Sequence, residues 1–239
     1  MALAQFYHDA LLKQGQEISL DEDTARHVVQ VLRMVAGEQL QLTDGKGHVA
    51  ITSIIQTEKK KCRLRVDAVT FHEAPAAGLH LCLGFTKNAS RNEWLLEKAT
   101  ELGIKSITPL ITTRTEREKL RYDRLKNILI SALLQSQQYH LPMLHEAMSL
   151  KAALEYHKEA GQKLVGHCID TLERKPLAGL LKPGKETVIL IGPEGDFTEE
   201  EVNLCIEAQY AGVTMGTQRL RTETAAMAAC AYFNLINHA

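Results

Sequence analysis

Two short polar loops, each set between an apolar run and an amphipathic segment, carry the residues of this sequence best suited to chemistry. The first, Gly192-Pro193-Glu194-Gly195-Asp196-Phe197, follows Val188-Ile189-Leu190-Ile191. The second, Gly216-Thr217-Gln218-Arg219-Leu220-Arg221-Thr222-Glu223-Thr224-Ala225, follows Val213-Thr214-Met215. Gly192 and Gly195 remove side chains where a ligand must approach the backbone, and Pro193 fixes the turn between them. The second loop offers backbone amides at a helix start, with Arg219, Arg221, Thr222, Glu223 and Thr224 as polar groups. Taken singly, such a turn and such a cap are ordinary punctuation. In this order and spacing they read as two walls of one ligand site.

The elements around the loops must bring them together. Residues 188–191 read as a strand. Thr198 with Glu201 forms a capping box, and Val202, Cys205 and Ile206 fall on one face of the helix it opens. Residues 213–215 read as a second strand, and the next helix draws its buried face from Ala226, Ala229, Cys230, Phe233 and Ile236. In an open parallel sheet both loops emerge at the carboxyl edge, where ligands bind.

The segment from Leu190 to Phe197, followed by Leu220-Arg221-Thr222-Glu223-Thr224-Ala225, closely resembles the signature of the ribosomal RNA small subunit methyltransferase E family of the SPOUT superfamily. The resemblance implies an α/β fold whose C-terminal parallel-sheet domain forms a deep trefoil knot, a feature nearly absent from ordinary folds. It implies methylation of N3 of a uridine in 16S ribosomal RNA, with S-adenosylmethionine as cofactor. The cofactor would be held by Leu190, Ile191, Gly192, Pro193, Glu194, Gly195, Met215, Gly216, Leu220, Arg221, Thr222, Thr224 and Ala225. It also implies a homodimer that pairs through the knot region. Two alternatives stay open: a SPOUT enzyme acting on another RNA position or atom, and a non-catalytic RNA-binding protein with a vestigial cofactor site. The intact glycines and the intact 220–225 segment argue against decay.

Neutral uracil N3 carries a hydrogen and is a poor nucleophile, so catalysis asks for a base or for a cation that stabilises the developing ring anion. Arg221 is the expected cation, and Glu223 or Glu194 the expected carboxylate. In a purely structural reading Arg221 and Glu223 brace the loop.

Composition limits the partners. The 239 residues carry a net charge of -1, so RNA must be met by local basic patches rather than bulk charge. Cys62, Cys82, Cys168, Cys205 and Cys230 lack paired metal spacing, and four lie in apolar contexts, as expected of buried thiols in a reducing compartment. Dispersed histidines predict no metal site, and no phosphate-binding Gly-x-x-x-x-Gly-Lys-Ser/Thr stretch occurs. The N-terminus lacks the apolar run of a signal peptide and no segment is long enough to span a membrane, so the expectation is cytoplasmic.

Residues 1–73 predict a small RNA-binding domain. Ser19 with Glu22 reads as a capping box for a short helix ending near Gly37, with Ala25, Val28, Val29 and Leu32 inward and Arg26, His27 and Arg33 on the other side. Strands are expected at 39–43, 48–55 and 62–70. The resemblance names this a PUA-like β-barrel, with Arg26 and Arg33 facing RNA. Gly45-Lys46-Gly47-His48-Val49-Ala50 fits a dinucleotide fingerprint, with Asp67 at the ribose-binding distance. That fingerprint must open a helix, whereas Val49-Ala50-Ile51-Thr52-Ser53-Ile54-Ile55 is β-branched and strand-like. A hairpin turn is the better reading.

Residues 73–77 read as a linker, and 74–239 as the methyltransferase domain, where strand and helix alternate as in a parallel sheet covered on both faces. Trp94, Leu95, Lys98, Ala99 and Leu102 are expected on one side of a helix over 91–102. Between Lys87 and Lys126 ten Lys or Arg face six Asp or Glu, which makes Lys87, Arg91, Arg114 and Arg117 the best RNA-facing candidates here. The sequence departs from the family pattern at Asp196, where many members carry glycine, and at Leu134 and Gln138, where charges are common.

Overall fold

The computed structural model describes residues 3–116 and 119–238 and divides into two compact units. The first holds Met1–Ala74 with Leu133–Leu141, the second Pro75–Ala132 with Pro142–Ala239. Among the described residues no helix is long and apolar enough to cross a membrane.

In the first unit β1 (Gln5–Tyr7), β2 (Glu17–Ser19), α1 (Glu22–Arg26), a π-helical turn at His27–Val31, β3 (Gln39–Thr43), β4 (His48–Glu58) and β5 (Lys61–Phe71) succeed one another. The sheet order is β1-β3-β4-β5-β2, antiparallel except for the parallel β1–β3 pair. β5 shows why these residues make a sheet: Cys62, Leu64 and Val66 are buried while Lys61, Arg63 and Arg65 face water, a period of two. Gly45 and Gly47, at φ 68° and 97°, make the β3–β4 hairpin turn, and Asp67 is taken up by Ser53 and Gln39.

Three expectations change here. Asp21, not Ser19, caps α1 by accepting from the amides of Asp23 and Thr24, because Ser19 is held in the ladder opposite Arg63. The helical stretch stops at Val31 instead of running to Gly37, leaving Leu32 43% exposed. Among the described residues β1 and β2 do not pair, so the hydrogen-bonded path is open rather than a closed barrel.

The second unit runs β6 (Leu79–Gly84), α2 (Ala89–Glu101), β7 (Ser106–Ile111), α3 (Tyr122–Gln135, whose last residues fall with the first unit), β8 (Met143–Leu144), β9 (Met148–Ser149) and α4 (Leu150–Tyr156). It continues with β10 (Gln162–Gly166), β11 (Lys175–Pro176), α5 (Leu177–Leu180), β12 (Thr187–Ile191), α6 (Glu199–Glu207), β13 (Ala211–Thr214) and α7 (Thr222–His238). All pairings are parallel, in the order β11-β13-β10-β12-β6-β7-β8 with β9 also on β7. β12 is buried at every position, as a strand covered on both faces must be.

α2 is capped by Asn88 and buries Leu95, Leu96 and Ala99, while Trp94 stays 47% exposed. The inward face is therefore rotated from the expected one. The capping box at Thr198 and Glu201 is present in both directions. α7 buries Ala226, Ala229, Cys230 and Phe233 and packs on α2, β6, β12 and α5.

Candidate active site

β13, β10 and β12 are parallel neighbours, so the loops leaving their carboxyl ends emerge side by side. Together they enclose a cavity of about 1010 Å³, a size suited to a ligand of nucleoside dimensions. Its walls are the segment beginning Gly166-His167-Cys168 after β10, the Gly192 loop after β12, the stretch from Val213 to Ala225 leading into α7, and Arg91 from the first turn of α2.

Backbone crowding explains the glycines. A Cβ on Gly192 would lie 2.9 Å from the Phe197 amide and 3.0 Å from the Asp196 backbone, so the turn closes only with glycine there. Gly84 at the end of β6 serves the same loop: a Cβ there would stand 2.6 Å from the Pro193 nitrogen. Gly216 has φ 139°, a conformation other residues rarely adopt, and it lines the cavity. The two predicted walls are joined where the Thr222 hydroxyl donates to the Gly192 carbonyl at 3.0 Å.

Side chains hold the Gly192 loop from both flanks. On one, Asp196 sits at φ 64°, which aspartate tolerates. Its carboxylate accepts from the Cys168 amide at 2.7 Å and from the Phe197 amide at 2.8 Å, which ties the loop to the end of β10. On the other, Arg114 donates to the Gly195 carbonyl at 2.5 Å and to the Phe197 carbonyl at 3.4 Å. Its alkyl stem lies where a Gly195 Cβ would need space. Beside it, the Thr113 amide and hydroxyl donate to Glu201 at 2.8 and 3.0 Å, so the capping glutamate also holds the loop after β7.

Charge converges at the mouth. Arg91 Nη1 lies 3.6 Å from Glu223 Oε1 and 3.9 Å from Glu194 Oε1. The Glu223 side chain is only 12% exposed, and its Oε2 is buried without a hydrogen-bond partner among the described residues. His167 is 4% exposed; burial, then the charge of Arg174, holds its pKa below the usual imidazole value. Its Nδ1 accepts from the Ile169 amide at 3.2 Å, which makes Nε2 the protonated nitrogen. Burial, reinforced by Asp196, pushes the Cys168 thiol up.

Of the residues singled out from sequence, Ile191, Gly192, Pro193, Glu194, Met215, Gly216, Leu220, Arg221, Thr222, Glu223 and Ala225 line this cavity together with Arg91. Leu190 is wholly buried in the sheet, Gly195 packs on Arg114, and Thr224 is exposed outside the lining. Among the basic candidates, Arg26 is paired with Glu22 and Asp23 at 3.4 and 3.3 Å, Lys87 lies 3.3 Å from Glu116, and Arg114 is spent on carbonyls. Arg33 is exposed at φ 56°, and Arg117 lies outside the described residues. Sequence reasoning missed the third wall, His167, Cys168, Asp170 and Arg174, although Gly166 at the end of a strand beside the other two was the signal.

A family model of the RNA methyltransferase domain matches residues 72–234, and one of the RNA methyltransferase PUA domain matches residues 20–67. Ribosomal RNA small subunit methyltransferase E of Buchnera aphidicola is 26% identical over 95% of this chain and 91% of its own. The crystal structure of a probable rRNA-methyltransferase from Porphyromonas gingivalis superposes with a TM-score of 0.91 at 31% identity, covering 98% of both chains. That of a ribosomal RNA small subunit methyltransferase E from Neisseria gonorrhoeae, bound to S-adenosyl methionine, gives 0.88 at 30% identity over 99% of this chain and 98% of its own.

Proposed function

Because the chain belongs to the RNA methyltransferase family represented by these ribosomal RNA small subunit methyltransferase E proteins, we propose that it transfers a methyl group from S-adenosylmethionine to N3 of a uridine in 16S ribosomal RNA. The cavity fits that cofactor on its own features. It has the volume, three loops that bring backbone groups to its walls, Met215 and Leu220 for apolar contact, and the open approach that Gly216 leaves. When bound, S-adenosylmethionine supplies a sulfonium methyl electrophilic enough that the protein's task is positioning and proton management.

The observation that carries the reading is Glu223 at the cavity wall, with one oxygen oriented by Arg91 and the other unpartnered among the described residues. The Glu223 carboxylate accepts the N3 proton as the ring nitrogen becomes nucleophilic. Arg221, lining the same cavity, stabilises the negative charge that spreads onto the uracil carbonyls. Glu194 shares Arg91 from the more exposed side and is the second candidate for the proton-accepting carboxylate. Residues 1–73 dock the RNA and residues 74–239 hold the cofactor and, within them, the trefoil knot. The working unit is a cytoplasmic homodimer. These assignments rest on family membership and on the PUA match in the first unit.

Mass spectrometry of ribosomal RNA from a deletion strain tests the activity: one N3-methyluridine should vanish and return with the parent gene. Complementation by Glu223→Gln should fail, while the purified variant still binds S-adenosylmethionine in calorimetry. An unchanged spectrum in the deletion strain would remove the activity, and full complementation by Glu223→Gln would remove its base.

A further inference from the structure

The first unit carries a group of rings that the methyl-transfer site does not use. The β3–β4 turn, the end of β5 and residues 139–141 are laced by backbone bonds: Gly47 donates to Tyr139 at 2.9 Å, His72 to Gly47 at 2.8 Å, and Leu141 to Gly45 at 2.8 Å. His140 Nε2 lies 2.9 Å from the His72 carbonyl and donates to it. Gly47 has no room for a Cβ, which would stand 2.8 Å from the His140 ring and 2.9 Å from the Phe71 ring. Glycine is what lets the rings close over the turn. His72 and Tyr139 stack with centroids 4.1 Å and planes 26° apart, and His48 and Phe71 tilt together at 4.9 Å. Phe71 is 59% exposed, His72 is exposed, and Lys46 stands exposed in the turn.

A single exposed apolar residue needs no explanation. Here, however, one of only five phenylalanines in the chain is held in water beside stacked rings, on a backbone too tightly bonded to fold it away. Rigid ring faces beside a cation are what an unpaired nucleotide recognises, the base by stacking and the phosphate by charge. We propose that Phe71, His72 and Tyr139, with Lys46, form a stacking platform for an unpaired base of the RNA substrate. This rests on the reading of the chain as an RNA methyltransferase. Base-paired RNA hides its base faces, so the platform separates single strands from duplexes.

The full-length protein can be titrated by fluorescence anisotropy with a short labelled oligouridylate and with a fully paired RNA hairpin. Phe71 is exposed, so Phe71→Ala should keep the parent's thermal midpoint. It should bind oligouridylate about tenfold more weakly and the hairpin within about twofold of the parent. Lys46→Gln should weaken both probes and reduce the salt dependence by about one phosphate contact. Both variants should bind S-adenosylmethionine as the parent does. Oligouridylate affinity unchanged in Phe71→Ala, which is also what a surface kept for a protein partner would give, overturns the platform; so does an equal loss on the hairpin. A parent that fails to bind S-adenosylmethionine sinks the methyltransferase reading instead, while the comparison of the two RNA probes still judges the platform.

Discussion

Asp196 stands where the resemblance expects glycine, and its carboxylate performs a job that glycine cannot. At φ 64° it keeps the turn, and its carboxylate bonds the Cys168 amide at 2.7 Å. Asp196→Gly therefore isolates the carboxylate, because glycine adopts this φ without strain. The variant should fold normally and bind S-adenosylmethionine about fivefold more weakly, the loss of about 1 kcal/mol expected of one such bond. Unchanged affinity in calorimetry would make the Cys168 tie irrelevant to the site. Arg114 is the companion case. Its guanidinium and its stem both serve the Gly195 loop, so Arg114→Ala should weaken cofactor binding while leaving RNA binding measured without cofactor as it was. The opposite pattern would return Arg114 to the RNA surface. That Glu194, Arg221 and Glu223 share one cavity was legible because their loops sit at glycine-marked strand ends. The pairing of Arg91 with Glu223 was not, since 132 positions separate them in sequence and only the parallel sheet brings them together.

At the scale of elements, legibility followed length and cap chemistry. β3 and β12 fall where alternation or a continuous apolar run placed them. β1, β2, β8, β9, β11 and α5 are two to four residues long, too short for any period to register. Ser19 and Asp21 both precede the same helix with capping chemistry, and only the β2–β5 pairing decides between them. Thr198 had no such rival, and its box with Glu201 is complete. Thr198→Ala should cost about 1 kcal/mol and lower the thermal midpoint by about 2–4 °C, with Thr198→Ser close to neutral. Glu201→Ala should cost more, because Glu201 also accepts from Thr113. Equal midpoints for those two alanine variants would show that the Thr113 contacts add nothing.

At the scale of the molecule, the small-residue face of α7 is consumed within one chain, against α2, β6 and β12. The proposed homodimer must then use what those packed helices leave outside: Leu235 of α7 is 64% exposed and Trp94 of α2 is 47% exposed. Light scattering should give a dimer that Leu235→Glu converts to monomer. A parent that scatters as a monomer while fully active would refute the dimer as the working form. At the amino edge of the same sheet, opposite the cavity, lies an acid-sensitive cluster. His157 is 5% exposed, its ring lies 5.1 Å from that of His80, and its Nε2 has no partner among the described residues. Burial, then the charges of His80 and His145, lowers its pKa from 6.5 to about 4, with Glu186 opposing. Burial likewise lowers His145. Above pH 6.5 His157 is neutral in both folded and unfolded chains and contributes no pH dependence. Between 6.5 and about 4 the unfolded chain binds more protons, so stability falls with falling pH, by up to ~3 kcal/mol from His157 alone. Glu186, which burial would raise, is held below its usual 4.5 by hydrogen bonds from Lys105 and His80, so its share is lost only at still lower pH. Urea titrations across that range should show a steep acid loss in the parent and a shallower one in His157→Phe, whose ring fills the same space without a site to protonate. Parallel slopes in the two proteins would mean that the acid sensitivity lies elsewhere.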